Sequence, residues 1–436
     1  MKYSMENYSE FLKDFADLIA AKSEKGEPAE NAPFGTGVKK AFDVFKNIAK
    51  KMNFDVIDYD GHMGEISVGH GGELGIIGHL DVVPAPDAGW NTKPYVLTKV
   101  DGTFYGRGVQ DDKGPVLTCL YALKSVIDEY GEAALKKNVR FFVGLDEESG
   151  WGDVEYFKTK SRFPKFGFSP DGNFPVVYAE KGPNRIIFEY DYKKRGGKFS
   201  GFTGGTVANA VCDHATVCGE IVPELIKKYN LTVNNGVIES FGKAAHGSKP
   251  ELGKNAILPI LKYIDEVENG TVTPLIEYLF DDKLGITKLG NETGKTTLSP
   301  DIISETDGVI TLTCDFRVPA KMNLNEFLPL FDKTGIPYRA IKGRDPLYVD
   351  KDGEFVQSLL AAYNDVTGEN EQPYSCSGAT FSSVFECGCA FGPEFEGAEG
   401  AIHEPNEYVS EENLLKMYCI YRAALVNLLK IGRAHV

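Results

Sequence analysis

The sequence predicts an α/β fold: a discontinuous α/β domain on a central, largely parallel mixed sheet, interrupted by an inserted α+β domain. Three observations predict it. Short apolar runs alternate with helical patterns before a central segment, and helical patterns return after it. Each of these runs ends abruptly in polar, mostly acidic residues. In the central segment the texture changes to strands with one apolar and one polar face, the pattern of antiparallel sheet. A chain of 436 residues is also too long for one ordinary core, so two domains are the first expectation.

The elements follow in chain order. MKYSMENYSEFLKDFADLIAAK opens the sequence as an amphipathic helix and has no signal-peptide apolar region. GIIGHLDVVP (75–84) reads as a buried strand ended by prolines. On an extended chain His79 and Asp81, two apart, point to the same side. GPVLTCLYALKSVIDEY (114–130) puts Val116, Leu120, Leu123 and Ile127 on one helical face, and Gly131 closes it. NVRFFVGL (138–145) and KFGFS (165–169) are further strands.

From RIIFEYDYKKRGGKFSGF to GVITLTCDFRVP the strands look half-exposed. In the second, Ile310, Leu312, Cys314, Phe316 and Val318 form one face, and Thr311, Thr313, Asp315 and Arg317 the other. A helical pattern returns with Phe355, Val356, Leu359, Leu360 and Tyr363. The last helix starts after Ser410, an N-cap followed by Glu411 and Glu412. The expected domains are therefore 1–184 with 346–430, and an insertion over 185–345. The final IGRAHV (431–436) fits nothing before it. A common sequencing-adapter string, ATC-GGA-AGA-GCA-CAC-GTC-TGA, translates to it and then stops. The native frame is expected to end near Lys430, so His435 is set aside.

Composition narrows the classes. Hydrophobic content of 42% with 25% charged and 11% aromatic residues is that of a globular protein. A formal net charge of −16 argues against binding nucleic acid by general electrostatics and leaves carboxylates to spare for divalent cations. No apolar stretch reaches the length of a membrane span, so no membrane partner and a cytoplasmic location are expected. The eight cysteines are scattered with no C-x-x-C pair, which suggests reduced thiols rather than disulfides or a cysteine metal site.

The polar strand ends carry the chemistry. GRGVQDDKGP (106–115) sets Asp111 and Asp112 in a glycine-bounded turn before a helix, without the lysine pattern of a phosphate loop. LDEES (145–149) carries Glu147 and Glu148, SPDG (169–172) carries Asp171, and AIHEPNEYVS (401–410) carries His403. Taken singly, each has an ordinary explanation: a core histidine, a helix-start turn, a solvated loop, a tight turn, a surface histidine. In an open α/β sheet, however, ligands bind beyond the carboxyl ends of the strands, where these loops would converge.

The order HLD, GRGxxDDKGP, DEES, SPDG, AHGSKPELGKNAI, IHEPNE resembles the co-catalytic zinc aminopeptidase/carboxypeptidase clan. Within it, the chain is similar to the family of carnosinase, glutamate carboxypeptidase G and succinyl-diaminopimelate desuccinylase. FGFSPDGNFPVVYAEKG (166–182) looks most like the dipeptidase V branch. The likeness runs from about residue 10 to about 430 and includes six motifs in the family's order.

The resemblance implies two divalent ions that share one hydroxide and polarise a carbonyl. It makes Asp111 the bridging ligand, His79 and Asp171 the further ligands of one ion, and Glu148 and His403 those of the other. It makes Asp81 the carboxylate that orients His79, and Glu147 the general base. It also implies a cis peptide between Asp111 and Asp112. The insertion resembles the family's lid, with His246 as oxyanion stabiliser and Arg317 clamping the substrate carboxylate. Asn209 and the backbone at Gly378 match substrate-binding positions. His62, His70 and His214 match no site.

The function implied is a metal-dependent dipeptidase, with zinc the expected metal and manganese or cobalt suited to the same ligands. A deacylase or desuccinylase of the same family acting on N-acylated amino acids, or an inactive binding homologue, are the alternatives. The insertion is long enough for two small lobes, and the likeness to the dipeptidase V branch implies a monomer; a homodimer is the other arrangement found in the family.

Overall fold

The computed structural model describes residues 2–398 and 400–430. The tail 431–436 lies outside the described residues. The chain divides into two compact units, Met1–Tyr178 with Tyr348–Tyr374 and Thr380–Val436, and Ala179–Leu347 with Ser375–Ala379. The second unit contains the whole of the expected insertion and also the short segment that carries Gly378.

The first unit is built on a mixed sheet whose order runs Val56–Tyr59, Met63–Val68, Lys137–Gly144, Gly72–His79, Phe166–Ser169, Cys387–Ala390. The last four are mutually parallel, and the two leading strands are antiparallel to their neighbours. Burial on both faces explains why Ile76, Ile77, Phe141, Phe142 and Val143 sit in unbroken apolar runs rather than alternating with polar residues. Gly72–His79 stops at the histidine, so Leu80 to Val83 continue the run outside the ladder.

The helix Lys113–Tyr130 is buried over nearly its full circumference, not on one stripe. It is packed between the sheet, the first helix Tyr8–Ala20 and the last helix Glu411–Leu428, which also rests on Glu354–Thr367. Periodicity cannot separate such a helix from an amphipathic one when nearly every position is apolar. Ser410 caps the last helix as predicted, its hydroxyl accepting from the Asn413 N–H at 3.1 Å. Cys119, Cys212, Cys314 and Cys389 are core thiols, whereas Cys218 is exposed.

The second unit is an eight-stranded antiparallel sheet in the order Thr232–Asn234, Val237–Phe241, His214–Cys218, Ser200–Gly204, Thr297–Thr306, Val309–Val318, Gly182–Asp191, Tyr338–Ile341. Helices Ile257–Val267 and Thr273–Leu279 pack on it around a core that includes Phe188, Tyr263, Leu312 and Phe316. The predicted apolar face of Val309–Val318 is buried. Its other face departs from expectation: Asp315 and Arg317 are buried as well, because they satisfy each other. Among the described residues no helix is long and apolar enough to cross a membrane.

One contact fixes how closely the layers approach. Gly75 and Gly167 are register partners on adjacent parallel strands, and the Phe385 ring lies against both. A Cβ at Gly75 would fall 2.2 Å from the ring, and one at Gly167 would fall 2.5 Å from it. Gly75→Ala should therefore destabilise the chain by about 1–3 kcal/mol in urea unfolding, the usual cost of overpacking. Adding Phe385→Leu should return part of the loss; strictly additive losses would mean that the ring is not the obstacle.

Candidate active site

Three adjacent parallel strands, Lys137–Gly144, Gly72–His79 and Phe166–Ser169, end at the same edge of the sheet. His79 is in register with Gly144, so the loop carrying Glu147 and Glu148 leaves beside it, and the loop carrying Asp171 leaves on its other side. The fourth segment, with His403, precedes the last helix. Within the first unit the structure brings together His79, Asp81, Asp111, Glu147, Glu148, Asp171 and His403.

Asp111 is the centre of the arrangement. Its Oδ1 lies 3.0 Å from His79 Nε2, and its Oδ2 lies 3.0 Å from His403 Nε2. Each imidazole meets a second carboxylate, His79 Nε2 facing Asp171 at 3.8 Å and His403 Nε2 facing Glu148 at 3.1 Å. Donor atoms of His79, Glu147 and Asp171 also fall within 4.8 Å of one another, as do those of His79, Asp111 and Glu148. The Asp111–Asp112 peptide is cis.

Asp81 does more than pair its carboxylate with an imidazole. The nearer partner of His79 Nδ1 is the Asp81 backbone carbonyl at 2.9 Å, with the carboxylate at 3.5 Å. The carboxylate also accepts the backbone N–H groups of Glu147 and Glu148, at 3.1 and 3.0 Å. Just past the strand's end at His79, the Asp81 carbonyl meets the ring. One buried aspartate thereby ties the histidine loop to the loop of the two glutamates.

Several contributors are not apparent from the motifs alone. Glu407, fully buried, accepts from Arg107 Nη1 at 2.8 Å and from the N–H groups of Gly108, Gln110 and Asp111. Arg107 is itself buried and lies over the Trp90 ring. Asp112 accepts the His79 N–H at 3.1 Å. The Trp151 indole donates to Glu147 Oε1 at 3.2 Å. Arg107 and Glu407 lie inside GRGVQDDKGP and IHEPNE, and the presence of opposite charges in two of the motifs was the signal available. His62 stacks on Tyr156 and His214 pairs with Glu239, so both have structural partners.

These groups shape one another's charge. Burial opposes charge on His79, but hydrogen bonds to Asp111 and Asp81 outweigh it and hold the ring well above its usual range. Burial likewise opposes charge on His403, and Asp111 and Glu148 push it up to about 11. Burial and the Asp111 charge push Glu148 up to about 7. Asp111 is buried too, yet the two imidazoles hold it far below the carboxylate range.

The donor set fits divalent cations. Tetrahedral ligands at zinc–ligand distances of about 2.1 Å lie about 3.4 Å apart, close to the nitrogen–oxygen separations around Asp111. Two imidazoles among four carboxylates, with no thiolate, suit zinc, manganese or cobalt. His79, Asp111, Glu148, Asp171 and His403 are the residues able to hold them.

In the second unit, the segments carrying Asn209, His246 and Arg317 converge. Arg317 Nε and Nη2 donate to Asp315, Nε at 2.9 Å from Oδ1 and Nη2 at 2.9 Å from Oδ2. Asp315 in turn packs against Gly247, where a Cβ would fall 2.6 Å from Oδ2. The Gly247 N–H donates to the Asn209 carbonyl at 2.6 Å, so Asn209 meets the His246 loop through its backbone. Gly378 presents its carbonyl to Cys376 Sγ at 3.9 Å.

Residues 75–427 match the family described as Peptidase family M20/M25/M40. The chain belongs to that family. This M20 chain is a metallopeptidase that hydrolyses peptide bonds, and use of divalent metal comes with the family. It is 30% identical over 469 residues to the Staphylococcus aureus (strain MW2) protein named "Putative dipeptidase MW1694", covering 98% of this chain and 99% of that one. Among solved structures it is similar to an M20 metallo-carboxypeptidase from Sulfolobus solfataricus (TM-score 0.62, 15% identity, 97% and 100% of the two chains). It is also similar to human carnosine dipeptidase 1 (TM-score 0.57, 16% identity, 97% and 96%). These structures share the fold of a catalytic and a lid domain.

Because the surrounding carboxylates hold protons on both imidazoles, cation binding must expel them. The M20 chain should therefore bind zinc or manganese more tightly at about pH 8 than at about pH 6. Calorimetric titration in buffers of different ionisation enthalpy should show net proton release. Affinity independent of pH would contradict the assignment of His79 and His403 as ligands.

Proposed function

We propose that this chain is a dipeptidase dependent on two divalent metal ions, cleaving short peptides with a free amino terminus and a free carboxylate. The observation that carries the reading is the division of Asp111, one oxygen to His79 and the other to His403, with a further carboxylate beside each imidazole. A shared carboxylate flanked in this way is a donor set for two ions rather than one. His79, Asp111 and Asp171 would hold one, and Asp111, Glu148 and His403 the other. Zinc is the proposed metal, with manganese or cobalt as substitutes. When bound, the ions polarise the scissile carbonyl and acidify water.

The protein groups do the rest. Glu147 takes the proton from the attacking water and passes it to the leaving amine. Its carboxylate is held by the Trp151 indole and its backbone by Asp81, so the base is fixed at both ends. His246 donates to the oxyanion, and Arg317 binds the substrate carboxylate through what Asp315 leaves of its guanidinium. Asn209 and the backbone at Gly378 contact the substrate. The near full-length likeness to a protein named as a dipeptidase supports the choice of dipeptides. The chain is proposed to act as a cytoplasmic monomer.

Glu147→Gln should keep its metal and lose turnover by ~100- to 10,000-fold, the usual worth of general acid–base help. Near-normal turnover would remove Glu147 from the mechanism. Arg317→Ala should harm ordinary dipeptides far more than their carboxy-amidated counterparts, and equal relative losses would make Arg317 structural. Both variants belong in a panel of dipeptides, tripeptides and N-acyl amino acids with zinc, manganese and cobalt. Preferred hydrolysis of N-acyl amino acids would make the chain a deacylase of the same family.

A further inference from the structure

The loop that carries His246 is pinned by its backbone. Val211 N–H donates to the Ala245 carbonyl at 2.9 Å, Gly247 N–H to the Asn209 carbonyl at 2.6 Å, and Lys249 N–H to the His246 carbonyl at 2.9 Å. A bridge between Ala210 and His246 completes the frame. On it the imidazole folds back over its own loop. His246 Nδ1 accepts the backbone N–H of Ser248 at 3.2 Å, and the Ser248 hydroxyl lies 2.7 Å from the same nitrogen. Ser248 is buried, 5% exposed, so water does not readily replace these contacts.

A backbone N–H can only donate, which makes Nδ1 an acceptor. A neutral imidazole carries one ring proton, and that proton is then on Nε2. We infer that Ser248 is a positioning residue that fixes His246 as the Nε2–H tautomer and aims that N–H as the hydrogen-bond donor of the lid. The inference rests on the proposed oxyanion role of His246 and adds how the role is achieved. With the proton on Nδ1, Nε2 would be a lone pair, which repels a developing oxyanion. The Ser248 backbone N–H thus sets whether the ring stabilises or opposes the charge that forms, and the hydroxyl at 2.7 Å holds the ring in that orientation.

The test combines spectroscopy with kinetics on the metal-loaded enzyme. In spectra of 15N-histidine-labelled protein, with the His246 signals identified by their loss in His246→Asn, Nδ1 should resonate as an unprotonated nitrogen and Nε2 as a protonated one. A protonated Nδ1 on a neutral ring overturns the inference. Ser248→Ala removes the hydroxyl and keeps the longer backbone contact. It should lower kcat roughly 3- to 10-fold, the worth of one hydrogen bond, with KM little changed and the unfolding temperature preserved. Ser248→Thr, which keeps the hydroxyl, should restore most of the loss. Full activity in Ser248→Ala overturns the positioning role. If His246→Asn itself leaves kcat nearly intact while Nε2 carries the proton, the oxyanion role fails and the tautomer assignment stands, so the two failures are distinguishable.

Discussion

One carboxylate has to serve two imidazoles, and the catalytic unit is organised around holding it there. Asp111 turns a separate oxygen to each of His79 and His403, which requires the group to be fixed in rotation as well as position. Its backbone is held from behind by Glu407, whose buried carboxylate takes three main-chain N–H groups and one arm of Arg107. Hydrogen bonds to charged groups contribute about 1.5–3 kcal/mol each, and loss of one partner of a buried ion pair costs about 3–5 kcal/mol. Glu407 therefore outweighs any single apolar contact in keeping the bridge in place.

The same logic extends outward. Asp81 links the histidine loop to the loop of Glu147 and Glu148 through backbone amides, so base and ligand move as one piece. In the second unit the arrangement is repeated with the opposite sign. Asp315 holds Arg317 and touches the Gly247 backbone, while Ser248 sets the proton of His246. Glu147, His246 and Arg317 are each held by a buried polar neighbour two residues or more away in sequence, the support that precise catalytic geometry requires.

Most of the parallel sheet was legible because its strands are short apolar runs that stop at acidic loops. The residues His79, Asp111, Glu148, Asp171 and His403 were legible as a set only through their order along the chain, since each alone has a bland explanation. What was not legible was reciprocal burial. Arg317 and Asp315 read as a polar strand face, and nothing in an alternating pattern shows that two opposite charges two residues apart will bury each other. Glu407 and Arg107 are separated by 300 residues, and only the fold brings GRG and HEPNE into contact. The end of the strand at His79 was likewise hidden, because Leu80 to Val83 have strand composition, yet only the Leu80 N–H still reaches the neighbouring strand, at the Gly144 carbonyl.

The measurement that bears most directly on the central claim is the metal content of Asp111→Asn beside that of the unaltered chain and Asp171→Asn, each dialysed against the same free zinc concentration. If Asp111 is shared by two sites, the unaltered chain carries two ions, Asp171→Asn keeps one, and Asp111→Asn loses both together. An unaltered chain that saturates with a single ion, or an Asp111→Asn chain that keeps two, would contradict the account.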